Sequence, residues 1–329
     1  MKEPIMAMHV VIGAGSIGTN VARLLADRGE SVRIVTRSGS GPEYPQVERV
    51  AADASDPGRL TELSRGAKVI YHCANPPSYT MWERLLPPIQ NAVIAAAKAN
   101  RAVLAITGSM YAYGPQPGGM MNEHTPMAAT GPKGRLRKRL WEQALNAGIR
   151  TVEVRGSDYI GRDSNGLYSI IIEPAMKAGR AAWVPADLDA PHTFTFNGDM
   201  AQALVALGND ERAWGQAWHV PSPPAISIRE LARRYAAAAG RPPVKLIPLP
   251  RAAMRTAGLF VPTAREMAEM DYQWYSPFLM DASKTADAFG LTATDLDVII
   301  NNQVSERGRG LIPPPDFDSK QRFRHCASS

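Results

Sequence analysis

Short apolar segments alternate with longer helical segments through the first half of the chain. Apolar runs predict strands over residues 9–12, 31–36, 47–51, 68–72 and 102–107, and apolar residues recur at helical spacing over 17–28 and 82–100. A further helix and strand are expected over 134–147 and 151–155. Strands that alternate with helices indicate βαβ units with right-handed crossovers. The pattern therefore predicts an α/β fold built on a doubly wound parallel Rossmann sheet.

The alternation ends after residue 155. Residues 156–198 contain glycine, proline and single aromatic residues with few strand candidates, such as 193–196, and Asp199 is expected to cap a helix over 199–207. Ser227 and Glu230 have the capping-box pattern of a helix start, and prolines bracket a short strand over 244–247. These features predict a smaller mixed α/β C-terminal lobe.

Composition excludes several classes of protein. The chain has 329 residues, of which 45% are hydrophobic and 21% charged, a balance typical of globular proteins. No apolar run approaches the roughly 18 residues that a membrane span needs, and residues 1–8 lack the apolar core of a signal peptide. The two cysteines, Cys73 and Cys326, are too few for a disulfide framework. We expect a cytoplasmic protein that does not bind membranes.

Neither the net charge nor the histidines predict a further kind of binding site. The net charge is +6, and part of the excess lies in the last residues, after the three prolines 313–315. An excess this small and this dispersed does not predict nucleic-acid binding. The 6 histidines are scattered without metal-ligand spacing, so no metal site is expected.

A glycine-rich motif stands between the first predicted strand and its helix. Gly13, Gly15 and Gly18 form the pattern G-x-G-x-x-G, with Ser16 and Ile17 between the second and third glycines. Glycine at these positions permits a tight turn, close approach of a pyrophosphate and close packing of helix on strand. The helix N-terminus adds free N–H groups and a positive dipole for the phosphates. The motif predicts a dinucleotide site.

The strand ends that follow predict the adenosine side of that site. Where an NAD site usually has an acidic residue for the ribose 2′-hydroxyl, this chain has Thr36, Arg37 and Ser38. A guanidinium there favours a 2′-phosphate, so NADP(H) is expected over NAD(H); the alternative is an ordinary surface arginine. Further cofactor contacts are expected from residues after the third and fourth strands, namely Asp53, Ala54, Ala74 and Asn75.

These predictions divide the chain into three parts. An NADP-binding Rossmann domain is expected over 1–155, with parts of 190–225 returning to it. A substrate-binding lobe is expected over 156–312, and a flexible tail over 313–329.

Several segments together resemble a known family. They are GAGSIG (13–18), Asp53, HCAN (72–75), TGSMYAYG (107–114), and FTF (194–196) leading into DMA (199–201). In these segments the chain resembles the extended short-chain dehydrogenase/reductases, the NAD-dependent epimerase/dehydratase group, from the glycine loop to about residue 300. Ile12 stands where the first glycine of the family is expected. The resemblance implies a nucleotide-binding domain and a substrate cleft against the C-terminal lobe.

The catalytic pair of that family, Tyr-x-x-x-Lys, is incomplete here. Lys138 best matches the lysine, which in the family holds the nicotinamide ribose, but Gly134 stands four residues before it. None of the 9 lysines has a tyrosine at that spacing. Ser109 matches the family serine that bonds the reacting oxygen. Tyr111 is the candidate replacement acid, with Tyr113 second; packing is the alternative for Tyr111, and a solvated pair with Glu142 is the alternative for Lys138.

The resemblance leaves three functions open. The first is an NADPH-dependent oxidoreductase that uses Ser109, Tyr111 and Lys138 on a small ketone, enone or imine. The others are a catalytically silent NADP(H)-binding sensor or scaffold and a non-redox isomerase or lyase. Met110 and Tyr111 replace the adjacent Asp and Glu of the sugar-nucleotide 4,6-dehydratases, which argues against that activity. The resemblance also implies a homodimer through the helices over 82–100 and 134–147.

Overall fold

A computed structural model describes residues 8–116 and 119–308 of the chain. The predicted tail over 313–329, which contains Cys326, lies outside the described residues. Within the described ranges, no helix combines the length and apolar character needed to cross a bilayer.

The central feature is a 7-stranded sheet in which all neighbours are parallel. Its strands are β1 (Met8–Ile12), β2 (Ser31–Thr36), β3 (Val47–Ala51), β4 (Ala67–His72), β5 (Val103–Ser109), β7 (Thr151–Gly156) and β11 (Ala217–His219). The two-residue strand β6 (Met120–Met121) is not part of this sheet. The order is β11-β7-β5-β4-β1-β2-β3. Because the order reverses at β1, a crevice opens between the carboxyl ends of β1 and β4, where such sheets bind ligands. The predicted doubly wound sheet is confirmed.

Helices cover both faces of this sheet. They are α1 (Ser16–Asp27), α2 (Pro57–Leu63), α3 (Trp82–Asn100), α4 (Pro132–Leu145) and α6 (Asn197–Gly208), with the short α5 (Glu173–Lys177) lying outside the sheet. Side chains of successive strand residues point to opposite faces, so Val11 packs with α1 and α6, while Val10 and Ile12 pack with α2, α3 and α4. Strand β11 therefore belongs to the central sheet, and helix α6 belongs to the layer that covers it, although both follow residue 190.

The remaining elements form the C-terminal lobe around a second apolar core, which includes Tyr168, Tyr235 and Trp274. Short parallel pairs join β8 (Asp158–Ile160) with β10 (Phe194–Phe196), β9 (Ala182–Val184) with β12 (Leu246–Pro248), and β6 with β13 (Leu279–Met280). The helices are α7 (Ile228–Ala238), α8 (Arg251–Ala257), α9 (Pro262–Glu269), α10 (Ser283–Phe289) and α11 (Leu296–Gly308). The predicted mixed lobe is thus present.

The prediction that Asp199 caps a helix is wrong. Helix α6 begins at Asn197, so Asp199 lies within its first turn. Its buried carboxylate accepts hydrogen bonds from the backbone N and the hydroxyl of Thr294, at 2.9 and 2.6 Å. A partner this far along the chain leaves no local sequence signal, whereas an N-cap is defined by its neighbours.

Candidate functional site

The loop between β1 and α1 is shaped by its glycines. Gly13 has φ +99°, and a Cβ atom there would lie 2.8 Å from the Cα of Ala74. A Cβ at Gly18 would overlap the carbonyl oxygen of Gly13. A Cβ at Gly15 would meet no atom of the described residues within 4 Å. Gly13 and Gly18 are therefore required by the protein itself, while Gly15 faces open space.

That open space lies at the start of α1. Gly15 caps the helix without a side-chain hydrogen bond, and the first N–H groups of any helix lack intrahelical partners. Ser16, Ile17 and Gly18 supply these groups here. Free donors, the positive end of the helix dipole and a gap where no Cβ stands fit the pyrophosphate of a dinucleotide.

Two alanine substitutions separate the roles of these glycines. Gly15→Ala is expected to fold normally but to weaken NADPH binding about tenfold or more, since its methyl group enters the space for the pyrophosphate. Gly13→Ala is expected to lower the free energy of unfolding by about 1–3 kcal/mol, because alanine tolerates a positive φ poorly. Thermal denaturation with and without NADPH measures both. Unimpaired NADPH binding by Gly15→Ala would contradict the assignment of the loop.

The ends of β2 and β3 form the exposed rim next to this loop. Thr36 donates its hydroxyl to the carbonyl of Ser40 at 3.0 Å, and both Arg37 and Ser38 are exposed. Asp53, also exposed, accepts from the backbone and hydroxyl of Ser55. These bonds, with a smaller contribution from the charge of Arg37, hold the pKa of Asp53 below its ordinary value. The rim thus presents a cation and hydroxyls beside an ionised carboxylate.

The end of β4 lies across the crevice from this rim. Ala54, after β3, packs against the apolar core with Ala74, and Asn75 follows as an exposed side chain. The Oδ1 atom of Asn75 accepts a hydrogen bond from Nη2 of Arg137 at 2.9 Å. Arg137 belongs to α4, so this bond connects the end of β4 with α4.

Arg137, rather than Lys138, faces the crevice. Nζ of Lys138 lies 3.9 Å from Glu142, and both side chains are over 40% exposed. The structure therefore places Lys138 on the solvent face, away from the other predicted site residues. The guanidinium of Arg137 lies 4.3 Å from the ring centroid of Trp82, and its buried Nε has no hydrogen-bond partner in the described structure. Burial lowers the pKa of Arg137.

Lys133 precedes Arg137 by four residues and is almost completely buried, with a 5% exposed side chain. Its Nζ forms ion pairs with Glu266 and, at 2.6 Å, with Glu269, both from α9. The carboxylate of Glu269 also accepts from the backbone N of Lys133 at 2.7 Å. Lys133 therefore ties the first turn of α4 to the C-terminal lobe. Its ammonium lies 5.5 Å from the ring centroid of Tyr79.

The end of β5 brings hydroxyl groups into the same place. Among the described residues, the buried Oγ of Ser109 has no hydrogen-bond partner. Tyr111 lies in the helical turn that follows, stacks on Trp82 at 5.8 Å between centroids, and has its hydroxyl 2.6 Å from that of Tyr79. We call the region at the carboxyl ends of β4 and β5 that contains Asn75, Ser109, Tyr111 and the Arg137 side chain of α4 the cleft.

Ionisation in the cleft is controlled by burial. Burial is the main reason that the pKa of Tyr111 lies well above its ordinary value, and the neighbouring Tyr79 and Asp158 raise it further. Burial also raises the pKa of Tyr79, to about 12. Both phenols are therefore protonated at neutral pH. The raised pKa also makes each phenol a weaker acid, so it gives its proton only to a strongly basic acceptor such as an alkoxide.

Asp158, at the start of β8, adds a negative charge near these phenols. Its carboxylate accepts from Nε1 of Trp274 at 2.9 Å and lies 3.4 Å from Nε2 of His192. Burial acts to raise the pKa of Asp158, but its interactions with His192 and Trp274 outweigh burial and hold that pKa below its ordinary value. His192, whose Nδ1 lies 3.1 Å from the carbonyl of Gln273, is fixed among three segments of the lobe.

Tyr113, the second candidate acid, is fully engaged elsewhere. Its hydroxyl lies 2.7 Å from Nε2 of His219 and accepts from Nη1 of Arg155 at 2.8 Å. The ring is completely buried. This environment gives Tyr113 a structural position beneath the cleft. No cluster of metal-ligating residues occurs among the residues that the structure describes.

Sequence reasoning did not identify Tyr79, Lys133, Arg137 or Asp158 as site residues. A signal existed for Arg137, because it precedes Leu140 and Trp141 by three and four residues and thus shares their buried face. Lys133 lies four residues before Arg137 on that same face. Tyr79 and Asp158 stand in short irregular segments, which carry no periodic pattern. Only the folded chain brings them beside Tyr111.

Comparison with known proteins identifies what this architecture is similar to. Residues 9–220 match the model of the NAD dependent epimerase/dehydratase family. A search of curated proteins found no match.

Solved structures of similar fold cover nearly the whole chain. The Bordetella bronchiseptica enzyme WbmH in complex with NAD+ is 19% identical, with a TM-score of 0.74 over 93% of this chain and 100% of that one. UDP-glucose 4-epimerase from Brucella ovis with NAD is 19% identical, with a TM-score of 0.74 over 92% and 98%. dTDP-glucose 4,6-dehydratase from Bacillus anthracis with NAD is 13% identical, with a TM-score of 0.75 over 92% and 97%.

Proposed function

Because the chain belongs to the NAD-dependent epimerase/dehydratase family, as its sequence motifs predicted, we propose that it is an NADP(H)-dependent oxidoreductase acting on a small carbonyl, enone or imine. The observation that carries this proposal is the cleft itself. A serine hydroxyl without a partner among the described residues ends β5, and a protonated tyrosine follows it. Arg137 connects this region with the end of β4, where Ala74 lies against the glycine loop. Hydride transfer to a carbonyl needs donors of this kind at the developing alkoxide.

Ser109 and Tyr111 have separate roles in the proposed reaction. The bound cofactor would supply the hydride. Ser109 donates a hydrogen bond to the substrate oxygen, and Tyr111 gives it a proton. Because burial raises the pKa of Tyr111 well above its ordinary value, this residue holds the proton that reduction consumes, whereas oxidation of an alcohol would have to begin from a tyrosinate. Epimerisation would also need a phenol that exchanges its proton in both directions.

Arg137 is proposed for the role that the family resemblance first gave to Lys138. Its guanidinium reaches Asn75 at the end of β4 and retains an unpartnered buried Nε. Such a group can donate to ribose hydroxyls of the cofactor. Lys133 then occupies the position of the usual tyrosine. It is held by two carboxylates and cannot replace a phenol as the acid.

The test is oxidation of NADPH by the purified protein, followed by absorbance, with cyclohexanone, cyclohexenone and pyrroline as probes. Sustained oxidation with any of them supports the proposal. The ion-paired Lys133 favours one other candidate, a cofactor-binding sensor without turnover. NADPH binding without oxidation of any probe would support the sensor and contradict the reductase.

The preference for NADP(H) can be tested at Arg37. Arg37→Gln is expected to weaken NADPH binding about 10- to 100-fold, because it removes a charge-assisted bond to the 2′-phosphate. NADH binding should change less than about twofold, as NADH has no such phosphate. Titration of tryptophan fluorescence measures both affinities. Arg28→Gln, at the far end of α1, is the control for net charge, and equal losses for NADPH and NADH in Arg37→Gln would contradict the assignment.

The helices α3 and α4 are also the elements through which the family resemblance implies assembly. The outer faces of α3 and α4 contact each other through Arg139–Glu83 at 2.7 Å and Gln143–Asn91 at 2.6 Å. We propose a homodimer through these two helices, as the family resemblance implies. Light scattering measures the mass in solution. The cytoplasmic location stays a prediction from the sequence.

A further inference from the structure

We infer that Tyr79 is the proton source that restores Tyr111 during the reaction, so that two phenols from separate segments replace the single tyrosine of the family. The inference rests on the proposed reductase function. It concerns a residue from the helical turn before α3 (Tyr79–Met81), far in sequence from both β5 and α4.

The contacts of Tyr79 fix its hydroxyl against Tyr111. The two hydroxyl oxygens are 2.6 Å apart, a normal distance for a strong O–H···O bond. The ring of Tyr79 packs edge-on against Trp82, with 4.9 Å between centroids. Trp82 is also stacked on Tyr111, so one indole positions both phenols.

Lys133 holds the other side of the Tyr79 ring. Its ammonium lies 5.5 Å from the ring centroid, within the range of a cation–π contact. Glu266 and Glu269 fix that ammonium in turn. Tyr79 is therefore oriented from two sides although it stands in a turn of only three residues. The residue in the place of the family tyrosine thus acts as a positioning residue for Tyr79.

Burial keeps both phenols protonated until the reaction begins. It raises the pKa of both, that of Tyr79 to about 12, and the charge of Asp158 raises both further. The positive charge of Arg137 opposes this rise at Tyr79, so a negative charge left there lies near a guanidinium. Either hydroxyl can be the donor across the 2.6 Å that separates the two oxygens, and the proton of Tyr79 can therefore move to Tyr111 along this bond.

The proton transfers balance as follows. Hydride from NADPH forms a C–H bond at the carbonyl carbon, and the C=O π pair moves to oxygen. The O–H bond of Tyr111 breaks as its proton joins that oxygen, which yields the alcohol and NADP⁺. In the same step the proton of Tyr79 moves to Tyr111, so that the negative charge is left on Tyr79. Both tyrosines are partly exposed, and Tyr79 takes up a proton from water once the transfer is complete.

Tyr79→Phe tests this sequence because the ring and its contacts with Trp82 and Lys133 are kept. Single-turnover reduction of the best probe by NADPH is measured in mixtures of H₂O and D₂O. The native protein should show a curved dependence of rate on deuterium content, from two protons in flight. Tyr79→Phe should be slower by about tenfold or more, with a linear dependence and an NADPH dissociation constant within about twofold of native.

A second measurement does not need turnover. In the cofactor-free protein labelled with ¹³C at tyrosine Cζ, Tyr79→Phe should shift the Tyr111 resonance. Tyr275→Phe removes a different phenol, one that donates to the carbonyl of Leu249 at 2.7 Å, and should leave both the rate and the Tyr111 resonance unchanged.

The outcomes are distinct. A native rate in Tyr79→Phe, a curved dependence that persists in this variant, or a linear one in the native protein overturns the role of Tyr79 and leaves the reductase function standing. If the native protein oxidises NADPH with none of the probes, the proposed function fails and the role of Tyr79 fails with it.

Discussion

Replacement of Tyr111 by phenylalanine is expected to lower the turnover number for carbonyl reduction about 10²–10⁴-fold, the usual contribution of a positioned general acid. The ring would keep its stacking contact with Trp82, so the loss is confined to the hydroxyl that faces Tyr79. NADPH affinity should stay within about twofold of native, because the glycine loop and Arg37 do not contact this ring. Steady-state kinetics and fluorescence titration together measure the two effects.

Two variants serve as comparisons for Tyr111→Phe. Tyr44→Phe removes a hydroxyl from an exposed tyrosine before β3 and should leave turnover unchanged. Ser109→Ala should also reduce turnover, about 10²–10³-fold if its hydroxyl acts as an oxyanion donor. Near-native turnover in Tyr111→Phe, combined with a large loss in Ser109→Ala, would remove the acid role from Tyr111 and leave Ser109 as the essential hydroxyl.

The sheet was predictable because its central strands are buried on both faces. Val10, Val11 and Ile12 are fully buried, and an uninterrupted apolar run of this kind, repeated between helices, is specific to parallel α/β sheets. The glycine motif was predictable for a similar reason. Gly13 and Gly18 are required by contacts with the adjacent backbone, so their spacing is visible without any knowledge of the ligand.

The candidate site was only partly predictable. Ser109 and Tyr111 follow a strand end, and their position could be read from the motif. Arg137 and Lys138 are adjacent on α4, and successive residues of a helix point about 100° apart. Arg137 therefore faces the crevice, whereas Lys138 faces solvent. Tyr79 and Asp158 come from segments without periodicity. They approach Tyr111 through tertiary packing, which short-range sequence patterns do not indicate.

A buried ion pair beneath the cleft carries the largest expected effect on stability. Glu153 and Arg155 alternate with apolar residues along β7 and point to the same face, with side chains only 6% and 3% exposed. Nε of Arg155 donates to Glu153 at 2.7 Å, and its Nη1 donates to the hydroxyl of Tyr113. Glu153→Ala is expected to lower the free energy of unfolding by about 3–5 kcal/mol, because it leaves the guanidinium buried without its counter-charge. Equilibrium denaturation in urea measures the change.

The double variant Glu153→Leu/Arg155→Met decides whether charge or packing causes that loss. Removing both charges together should recover most of the stability, since a buried pair costs about as much in desolvation as it returns in attraction. Turnover should stay lower than native even then. A Cβ placed at Gly108 would lie 2.7 Å from Cγ of Glu153, so the side chain at this position supports the backbone that presents Ser109. A double variant as unstable as Glu153→Ala would show that shape, and not the unpaired charge, is what this pair contributes.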